Sequence, residues 1–289
     1  MTGDDARRLG RLLGVPVSEI RAAGAQHGYR HLTATLADGR EVFVKAAPET
    51  GDETTAGAFA AEANGLRWLG EADGVPVPAV LGADENLLAI ELLPPGHPTP
   101  EAAEEFGRRL ARTHATGAAT FGAPWPGYIA SLPLDNTPGT EWWSWYAEQR
   151  LVPYLSRARD DGALSAADLG LVQTVIDRIW ELAGPPEPPS RIHGDLWSGN
   201  VLWSGGRGWL IDPAAHGGHR ETDLAMLALF GAPHEERIIR GYTETAPLAA
   251  GWRRRVPLHQ LHPLLVHACL FGGSYGGQVG AAARAVLGS

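Results

Sequence analysis

The sequence predicts an α+β fold with two lobes: a small β-rich N-terminal lobe with one main helix, and a larger, mostly helical C-terminal lobe. Two observations predict this fold. Four short segments before residue 93 have the composition and apolar alternation of strands, and one helical segment lies among them. From residue 99 onward, helical spacing predominates. The proline-rich segment 93–98 separates the two regions, so we expect lobes over residues 1–93 and 94–289.

The N-terminal lobe is expected to have the element order β-β-α-β-β after a short polar helix. Alternating residues on both sides of Asp38-Gly39 predict a hairpin within residues 24–46, because this dipeptide is a strong turn signal. The predicted elements are a helix over 4–13, strands over 29–36 and 41–46, a helix over 54–69, and strands over 80–82 and 87–92.

The C-terminal lobe is expected to consist of helices around one irregular segment. Residues 191–213 are different from their surroundings, because two short apolar runs flank a glycine-rich turn there. Ser165, followed by Asp168, resembles a helix-capping pair. The predicted helices cover 99–116, 141–159, 165–183, 221–230, 234–242 and 252–271.

Composition narrows the classes of function. Lys and Arg total 24 against 33 Asp and Glu, a net charge of −9, which argues against nucleic acid as the main partner. No apolar run approaches the length of a membrane span, and residues 1–11 are charged, so we expect a soluble, cytoplasmic protein with no membrane partner. The one cysteine, Cys269, excludes an intramolecular disulfide. The oligomeric state stays open.

The only lysine of the chain, Lys45, ends a predicted strand. Arginine supplies every other basic side chain, which suggests that this position requires a compact ammonium, the form in which lysine contacts phosphate. Chance in an arginine-rich composition is the alternative. In the following helix, Phe59, Glu62 and Leu66 share one face, so Glu62 is expected to be buried and to need a cationic partner. Lys45 is the natural partner; a solvated Glu62 at the helix edge is the alternative.

The strongest local signal is the segment 193–200, His-Gly-Asp-Leu-Trp-Ser-Gly-Asn, followed by Asp212 beyond a predicted hairpin. The hairpin should bring Asn200 and Asp212 together, and an amide oxygen beside a carboxylate suits Mg²⁺. Asp195 is then placed to receive the proton of an attacking hydroxyl. These are the base and metal ligands of phosphoryl transfer from ATP, with Lys45 on the α- and β-phosphates. His193 is expected to be a structural hydrogen-bonding residue.

The glycine-bearing segment 24–29 is a weaker signal. It lacks the full Gly-x-Gly-x-x-Gly pattern, so Gly28 is a candidate phosphate contact through its backbone, and a plain hairpin turn is an equal alternative.

Together these residues resemble the fructosamine-3-kinase (ketosamine-3-kinase) family, within the larger aminoglycoside-phosphotransferase and protein-kinase-like fold. The segment 193–200 is the most specific part of the resemblance, because most relatives of the fold share its His-Gly-Asp and Asn but not the four residues between them. Further matching segments are 128–131, 142–151, 218–225 and 270–275.

The resemblance implies a kinase that uses ATP and Mg²⁺ to phosphorylate the C3 hydroxyl of a fructosamine or ribulosamine, either free or attached to a protein. Phosphorylation there destabilises the ketosamine linkage, so that the amine is released and deglycated. The resemblance also implies that Glu91 and Leu93 belong to the adenine-binding hinge, and that His219 and Asp223 brace the catalytic loop. The candidate substrate contacts are Trp142, Trp197, His216 and Tyr275, although an aromatic stripe such as that of Trp142 is more often core.

Two other functions stay open at this point. One is a different small-molecule kinase of the same fold, acting on an aminoglycoside, a choline-like compound or another cationic alcohol. The other is a non-catalytic nucleotide-binding or scaffold protein, which the full set of Lys45, Asp195, Asn200 and Asp212 opposes.

Overall fold

A five-stranded antiparallel sheet with one helix packed on it forms the N-terminal part of the chain. The computed structural model describes residues 2–26, 28–48 and 57–288. The elements are α1 (Thr2–Leu13), β1 (Val17–Gln26), β2 (Tyr29–Leu36), β3 (Glu41–Ala46), α2 (Ala58–Gly70), β4 (Val80–Ala83) and β5 (Leu87–Glu91). The strand order is β1-β2-β3-β5-β4, so β3 is the central strand. Its Lys45 lies between His31 of β2 and Leu88 of β5.

The hairpin of β2 and β3 and the strands β4 and β5 confirm the sequence prediction, but β1 was not predicted. Eight of its ten residues are exposed, as expected at a sheet edge, so the chain shows no buried face there from which alternation could be recognised. The predicted segment 24–29 is thus the end of β1, the start of β2 and the turn between them, with His27 outside the described residues. The predicted helix 54–69 begins at Ala58 in the described part, and residues 54–56 lie outside it.

Helices dominate the chain after residue 99, as the sequence predicted, and the α+β fold is confirmed. Short antiparallel pairs join β6 to β7, β8 to β11 and β9 to β10. The elements are α3 (Pro100–Ala115), β6 (Gly127–Ile129), β7 (Leu132–Leu134), α4 (Trp142–Tyr146), a π-helical turn (Ala147–Leu151), α5 (Val152–Asp160), α6 (Ala166–Asp177), α7 (Ile179–Leu182), β8 (Ser190–Ile192), a 3₁₀ turn (Ser198–Asn200), β9 (Val201–Ser204), β10 (Arg207–Leu210), β11 (His216–Gly218), α8 (Glu221–Phe230), α9 (Glu235–Thr245), α10 (Trp252–Phe271) and α11 (Tyr275–Leu287).

Some helices of this part match the prediction and others differ from it. Helices α8 and α10 match their predicted bounds, and the predicted helix 165–183 is divided at Arg178 into α6 and α7. The Ser165 hydroxyl accepts a hydrogen bond from the Asp168 amide, as the capping pair predicted. Helix α11 was not predicted, because three of its thirteen residues are glycine, a poor helix former. Within the described ranges, no helix has the length and apolar character needed to cross a membrane.

Helix α2 packs on the sheet with one end and on the helical part with the other. Phe59 and Leu66 of α2 share a buried cluster with Leu88 and Ile90 of β5. Leu69, near its C-terminal end, belongs instead to a cluster of the C-terminal part that contains Phe106, Leu110, Leu196 and Leu224. The helix therefore joins the two hydrophobic cores.

Helices α3 and α9 cross at backbone contact, which glycine makes possible. A Cβ atom added to Gly107 of α3 would lie 2.0 Å from the carbonyl oxygen of Ile238, and one added to Gly241 of α9 would lie 2.0 Å from the carbonyl oxygen of Glu104. Both distances are far shorter than a van der Waals contact, so any larger residue must separate the helices.

We predict that Gly107→Ala lowers the free energy of unfolding by about 1–3 kcal/mol, because the added methyl group overpacks the contact of α3 with α9. Urea unfolding measures the change. Gly170→Ala is the matched control: Gly170 is exposed in α6, with no atom within 4 Å of its added Cβ, and the change should stabilise by about 0.5–1 kcal/mol. Equal effects of the two substitutions would contradict the close crossing.

Candidate functional site

Lys45 is held by two carboxylates that come from different parts of the fold. Its Nζ atom lies 2.8 and 2.9 Å from the carboxylate oxygens of Glu62 and 2.7 Å from Oδ1 of Asp212. Glu62 is on α2, and Asp212 follows β10. The predicted contact of Lys45 with Glu62 is thus present, and the contact with Asp212 brings in the second half of the chain.

The ammonium of Lys45 is almost completely buried, with 8% of its side chain exposed. Burial alone would lower the pKa of Lys45, but the charges of Glu62 and Asp212 outweigh it and hold the pKa above its ordinary value. The lysine is therefore fully charged at neutral pH. Removing one carboxylate would leave a buried charge with a single partner, which is costly.

The loop 193–197, between β8 and the 3₁₀ turn, is held in place by hydrogen bonds to Asp223 of α8. The buried carboxylate of Asp223 accepts hydrogen bonds from the amides of His193 (2.7 Å) and Gly194 (2.9 Å), and Nε2 of His114 lies 3.1 Å from it. Burial would raise the pKa of Asp223, but the contact with His114 contributes most to holding it below its ordinary value. Asp223 therefore sets the path of the loop in its ionised form.

His193 has the structural role that the sequence predicted. Its imidazole Nε2 lies 2.8 Å from the carbonyl oxygen of Ile211, and its Nδ1 accepts a hydrogen bond from the Asp195 amide at 3.2 Å. The imidazole thereby connects the loop that carries Asp195 to the strand that leads to Asp212. Burial lowers the pKa of His193, so it is neutral at neutral pH.

Asp195 and Asn200 are in direct contact. Nδ2 of Asn200 donates to the Asp195 carboxylate at 3.0 Å and to the Asp195 main-chain carbonyl at 2.8 Å. Because Nδ2 makes these contacts, Oδ1 of Asn200 is the atom that can bind a cation. Burial, followed by the charges of Asp212 and Asp223, raises the pKa of Asp195 to about 7, although the hydrogen bond from Asn200 opposes the change. A carboxylate with such a pKa can accept a proton near neutral pH.

Asp212 lies next to Asn200 because β9 and β10 form an antiparallel pair. The amide of Ile211 donates to the carbonyl oxygen of Asn200 at 3.1 Å, which closes the open end of the hairpin. The backbone of Asp212 is in the left-handed region, with φ of 54°. Strained backbone of this kind clusters at functional sites, and aspartate tolerates it better than most residues.

Two glycines explain the spacing of the segment 193–200. Gly194 has φ of 83°, and an added Cβ would lie 2.3 Å from the carbonyl oxygen of Ala214. A Cβ added to Gly199 would lie 2.2 Å from the ring of Trp197, so the indole packs directly on this glycine. Leu196, between them, is buried in the C-terminal core. The segment therefore positions Asp195 and Trp197 on one side and anchors Leu196 on the other.

These residues border a cavity of about 470 Å³. Its charged end is lined by Lys45, Glu62, Asp195, Asn200 and Asp212. Mainly aromatic side chains, here called the aromatic chamber, also line the cavity; among them are Trp125, Tyr128, Trp197, Met226, Phe230, His267, Phe271 and Tyr275. The cavity therefore combines a site for a charged group with an apolar chamber beside it.

Apart from the supporting residues His193, His219 and Asp223, the predicted site residues divide into three groups. Seven of them line the cavity: Lys45, Glu62, Asp195, Asn200, Asp212, Trp197 and Tyr275. Gly28, Glu91 and Leu93 do not line it. Gly28 lies at the tip of the β1–β2 hairpin, and the Glu91 carboxylate accepts a hydrogen bond from the Ala79 amide. Their nucleotide contacts therefore stay predictions.

The third group consists of Trp142 and His216, and here the structure corrects the prediction of substrate contact. Trp142 is 6% exposed and stacks on Tyr146 and His259 within the C-terminal core, at ring distances of 4.8 and 4.6 Å. His216 is buried against Trp145, and its Nδ1 is 2.7 Å from the carbonyl oxygen of Ala214. Burial lowers the pKa of His216 to about 3. Neither residue is among those that line the cavity.

His219 also lies behind the site and not in the cavity. Its Nδ1 accepts a hydrogen bond from the Glu221 amide at 3.2 Å, and its ring packs on Trp142 at 4.8 Å. The predicted direct support of the catalytic loop is thus provided by Asp223, and His219 instead supports the start of α8.

Sequence reasoning missed most of the aromatic chamber. Trp197 packs edge-on against Phe230, and His267 packs against Phe230, Phe271 and Tyr275, at ring distances of 5.0 to 6.2 Å. Apart from Trp197, these residues come from α8, α10 and α11. The available signals were the segment 270–275, which contains Phe271 and Tyr275, and the segments that contain Trp197 and Tyr128.

The comparisons with known proteins agree with this geometry. A family model described as fructosamine kinase matches residues 13–288. A protein of Escherichia coli (strain K12) named "Probable ketoamine kinase YniA" is 33% identical over 279 residues, 93% of each chain. A crystal structure from Thermobifida fusca YX-ER1, of a protein assigned as a fructosamine-3-kinase, is 54% identical, with a TM-score of 0.95 over 98% of both chains. A macrolide 2′-phosphotransferase type I is 20% identical, with a TM-score of 0.65 over 98% of this chain and 95% of that chain, and thus shares the protein-kinase-like fold.

We predict that Asp223→Ala lowers the free energy of unfolding by about 3–5 kcal/mol, because two buried amides and His114 lose their charged acceptor. Since the pKa of Asp223 is lowered in the folded protein, its contribution is full above the unfolded pKa of about 4 and is lost as the pH falls toward the folded value. Urea unfolding at neutral pH measures the loss. Asp161→Ala, at an exposed carboxylate, should change stability by less than about 0.5 kcal/mol. A loss below about 1 kcal/mol for Asp223→Ala would contradict the bracing role.

Proposed function

Because this chain belongs to the fructosamine kinase family and is a kinase, we propose that it transfers the γ-phosphoryl group of ATP to the 3-hydroxyl of a ketosamine, either a fructosamine or a ribulosamine. The product is unstable at its ketosamine linkage, so the activity leads to deglycation of an amine metabolite or a protein. One observation carries the proposal: Lys45 from the N-terminal part and Asp195, Asn200 and Asp212 from the C-terminal part meet at one end of a single cavity. ATP lies between the two parts, whose boundary we place between residues 93 and 94.

Lys45 is the residue that binds the α- and β-phosphates of ATP. Its position on the central strand and its two carboxylate partners hold the ammonium in one place before the nucleotide arrives. Glu62 keeps the ammonium oriented, as in other enzymes with a strand lysine paired to a helix glutamate. Glu91 and Leu93, in the connection after β5, contact the adenine, and the backbone at Gly28 covers the phosphates.

Asn200 and Asp212 are the residues that hold Mg²⁺. Their side chains offer an amide oxygen and a carboxylate, the hard oxygen ligands that this ion prefers. The contact of 2.7 Å between the Lys45 ammonium and Asp212 shows that this carboxylate already accepts a cation in the cleft. When bound, the ion neutralises the charge of the phosphates.

Asp195 is the general base. Its carboxylate receives the proton of the acceptor hydroxyl while the hydroxyl oxygen forms a bond to the γ-phosphorus, and the bond from that phosphorus to the β–γ bridging oxygen breaks to release ADP. The hydrogen bond from Asn200 fixes the direction of the carboxylate. The remaining residues of the site contribute positioning and charge, which is most of what phosphoryl transfer requires.

The aromatic chamber receives the amine-bearing part of the acceptor. Trp197 follows Asp195 by two residues, and Tyr275 packs against His267 at a ring distance of 5.0 Å. A ketosamine carries a secondary amine that is cationic at neutral pH, and aromatic faces attract such a cation. Trp197 and Tyr275 are therefore the acceptor contacts that we retain from the sequence, in place of Trp142 and His216.

An acceptor panel tests the proposal. The protein is incubated with Mg-ATP and fructosyl- or ribulosyl-amines, and separately with an aminoglycoside, choline and simple alcohols. We expect phosphate transfer to a ketosamine, with the phosphate at the 3-position by NMR. Turnover of another cationic alcohol without any ketosamine would assign the protein to a different acceptor class. The absence of any ATP hydrolysis or transfer would overturn the catalytic proposal.

We predict that Asp195→Asn lowers kcat by about 10²–10⁴-fold and leaves ATP affinity nearly unchanged, because the base is lost and the Lys45 site is not. Steady-state kinetics and ATP titration measure the two effects. Asp161→Ala serves as the control at an exposed carboxylate. A parallel loss of ATP affinity would show that the substitution disturbs the fold and would contradict the assignment.

We predict that kcat/KM for the acceptor rises with pH, with a midpoint at or below about 7. Burial raises the pKa of Asp195 to about 7, and only its unprotonated form accepts the proton. Bound cations lower the pKa of Asp195, so the rising limb of the pH–rate profile shifts to lower pH at saturating Mg-ATP. Rates from about pH 5.5 to about pH 8.5 define the limb, with circular dichroism checking that the protein stays folded. A rate that is independent of pH over this range would argue against Asp195 as the base.

A further inference from the structure

A buried arginine connects the end of α2 to the strand that leads into the catalytic loop. Arg191 is the middle residue of β8, two residues before His193, and is 9% exposed. Its Nη1 donates a hydrogen bond to the main-chain carbonyl of Trp68 and lies 3.2 Å from the carboxylate of Glu71. Both partners belong to the last turn and the C-cap of α2.

The chemistry of this contact is suited to holding the end of α2 against β8. The last carbonyls of a helix lack partners within the helix and attract a cation. The guanidinium also lies over the indole of Trp68, 4.4 Å from the ring centre, and arginine is the cation best suited to combine stacking with directed hydrogen bonds. Trp68 in turn packs edge-on against Trp125, a residue that lines the cavity.

Two more residues in the C-terminal half of α2 also pack on the C-terminal part. Leu69 is buried among residues of that part. A Cβ added to Gly65 would lie 3.2 Å from the Cβ of Ala215 and 3.4 Å from Cγ of Pro213, directly after Asp212. The helix therefore packs on the C-terminal part from Gly65 to its C-cap. Glu62 lies less than one turn before this packed region.

We propose that Arg191 is a positioning residue, which holds α2 on the C-terminal lobe and thereby keeps Glu62 on Lys45. In kinases whose corresponding helix moves, activity depends on forming this ion pair. In this protein the pair is formed, with both carboxylate oxygens of Glu62 within hydrogen-bonding distance of the Lys45 ammonium. The inference rests on the proposed function only for its ATP-binding readout.

Hydrogen exchange and a double-mutant cycle test the proposal. In the nucleotide-free protein, Arg191→Ala should speed amide exchange in α2 by about fivefold or more, and Arg191→Lys by less, because lysine keeps a donor but loses the stacked plane. ATP dissociation constants are measured for Arg191→Ala, Glu62→Ala and the double variant. We expect Arg191→Ala to weaken ATP binding about fivefold or more alone and to have little further effect in the Glu62→Ala background. Arg284→Ala, at an exposed surface pair, should change neither quantity.

Additive effects in the cycle, or unchanged exchange in α2, would overturn the proposal and leave Arg191 a residue of general stability only. If Arg191→Ala does not fold, the same cycle with Arg191→Lys and Arg191→Met decides, since both keep the bulk of the side chain. The exchange and ATP measurements need no acceptor. A protein that binds ATP as expected but phosphorylates no ketosamine would therefore contradict the proposed acceptor and not the role of Arg191.

Discussion

The structure of this site depends on the neutralisation of one buried ammonium. Lys45 is charged and nearly inaccessible to water, and its two carboxylates belong to α2 and to the loop after β10. Glu62, from the same half of the chain, and Asp212, from the other half, share the ammonium, so the sheet, α2 and the loop after the β9–β10 hairpin meet at one point. The cleft is therefore a consequence of a charge requirement as well as of hydrophobic packing, because an unpaired buried charge would cost several kcal/mol, roughly.

The loop that carries Asp195 is fixed by hydrogen bonds to a buried carboxylate of α8. Asp195 can serve the cavity only if its backbone is fixed, and Asp223 fixes it by accepting the amides of His193 and Gly194. His193 connects this loop to the residue before Asp212, because its imidazole is hydrogen-bonded to the carbonyl oxygen of Ile211. Under the proposed function, this support helps to position the base Asp195 and the metal ligand Asp212.

The sequence was sufficient where the signal was local. The lone lysine, the helical spacing of Glu62 and the segment 193–200 are each recognised within a few residues. Lys45 contacts Glu62 as predicted, and Asn200 lies beside Asp212 as predicted. Where side-chain orientation depends on distant elements, the sequence was insufficient. Trp142 and Trp197 are both tryptophans in matching segments, but the first is covered by α10 and the second packs on Gly199 beside the cavity. The aromatic chamber could not be predicted for the same reason, because α8, α10 and α11 build it together.

The charges of the cleft favour a particular form of the nucleotide. Glu62, Asp195 and Asp212 face the cavity with Lys45 as the cation between two of them, so the nucleotide-free site has a negative balance. ATP alone would add further negative charge beside these carboxylates. ATP in complex with a divalent cation would supply a positive partner for Asp212, while Glu62 would keep the ammonium. Under the proposed function, the excess of carboxylates therefore selects the metal complex of the nucleotide over the free nucleotide.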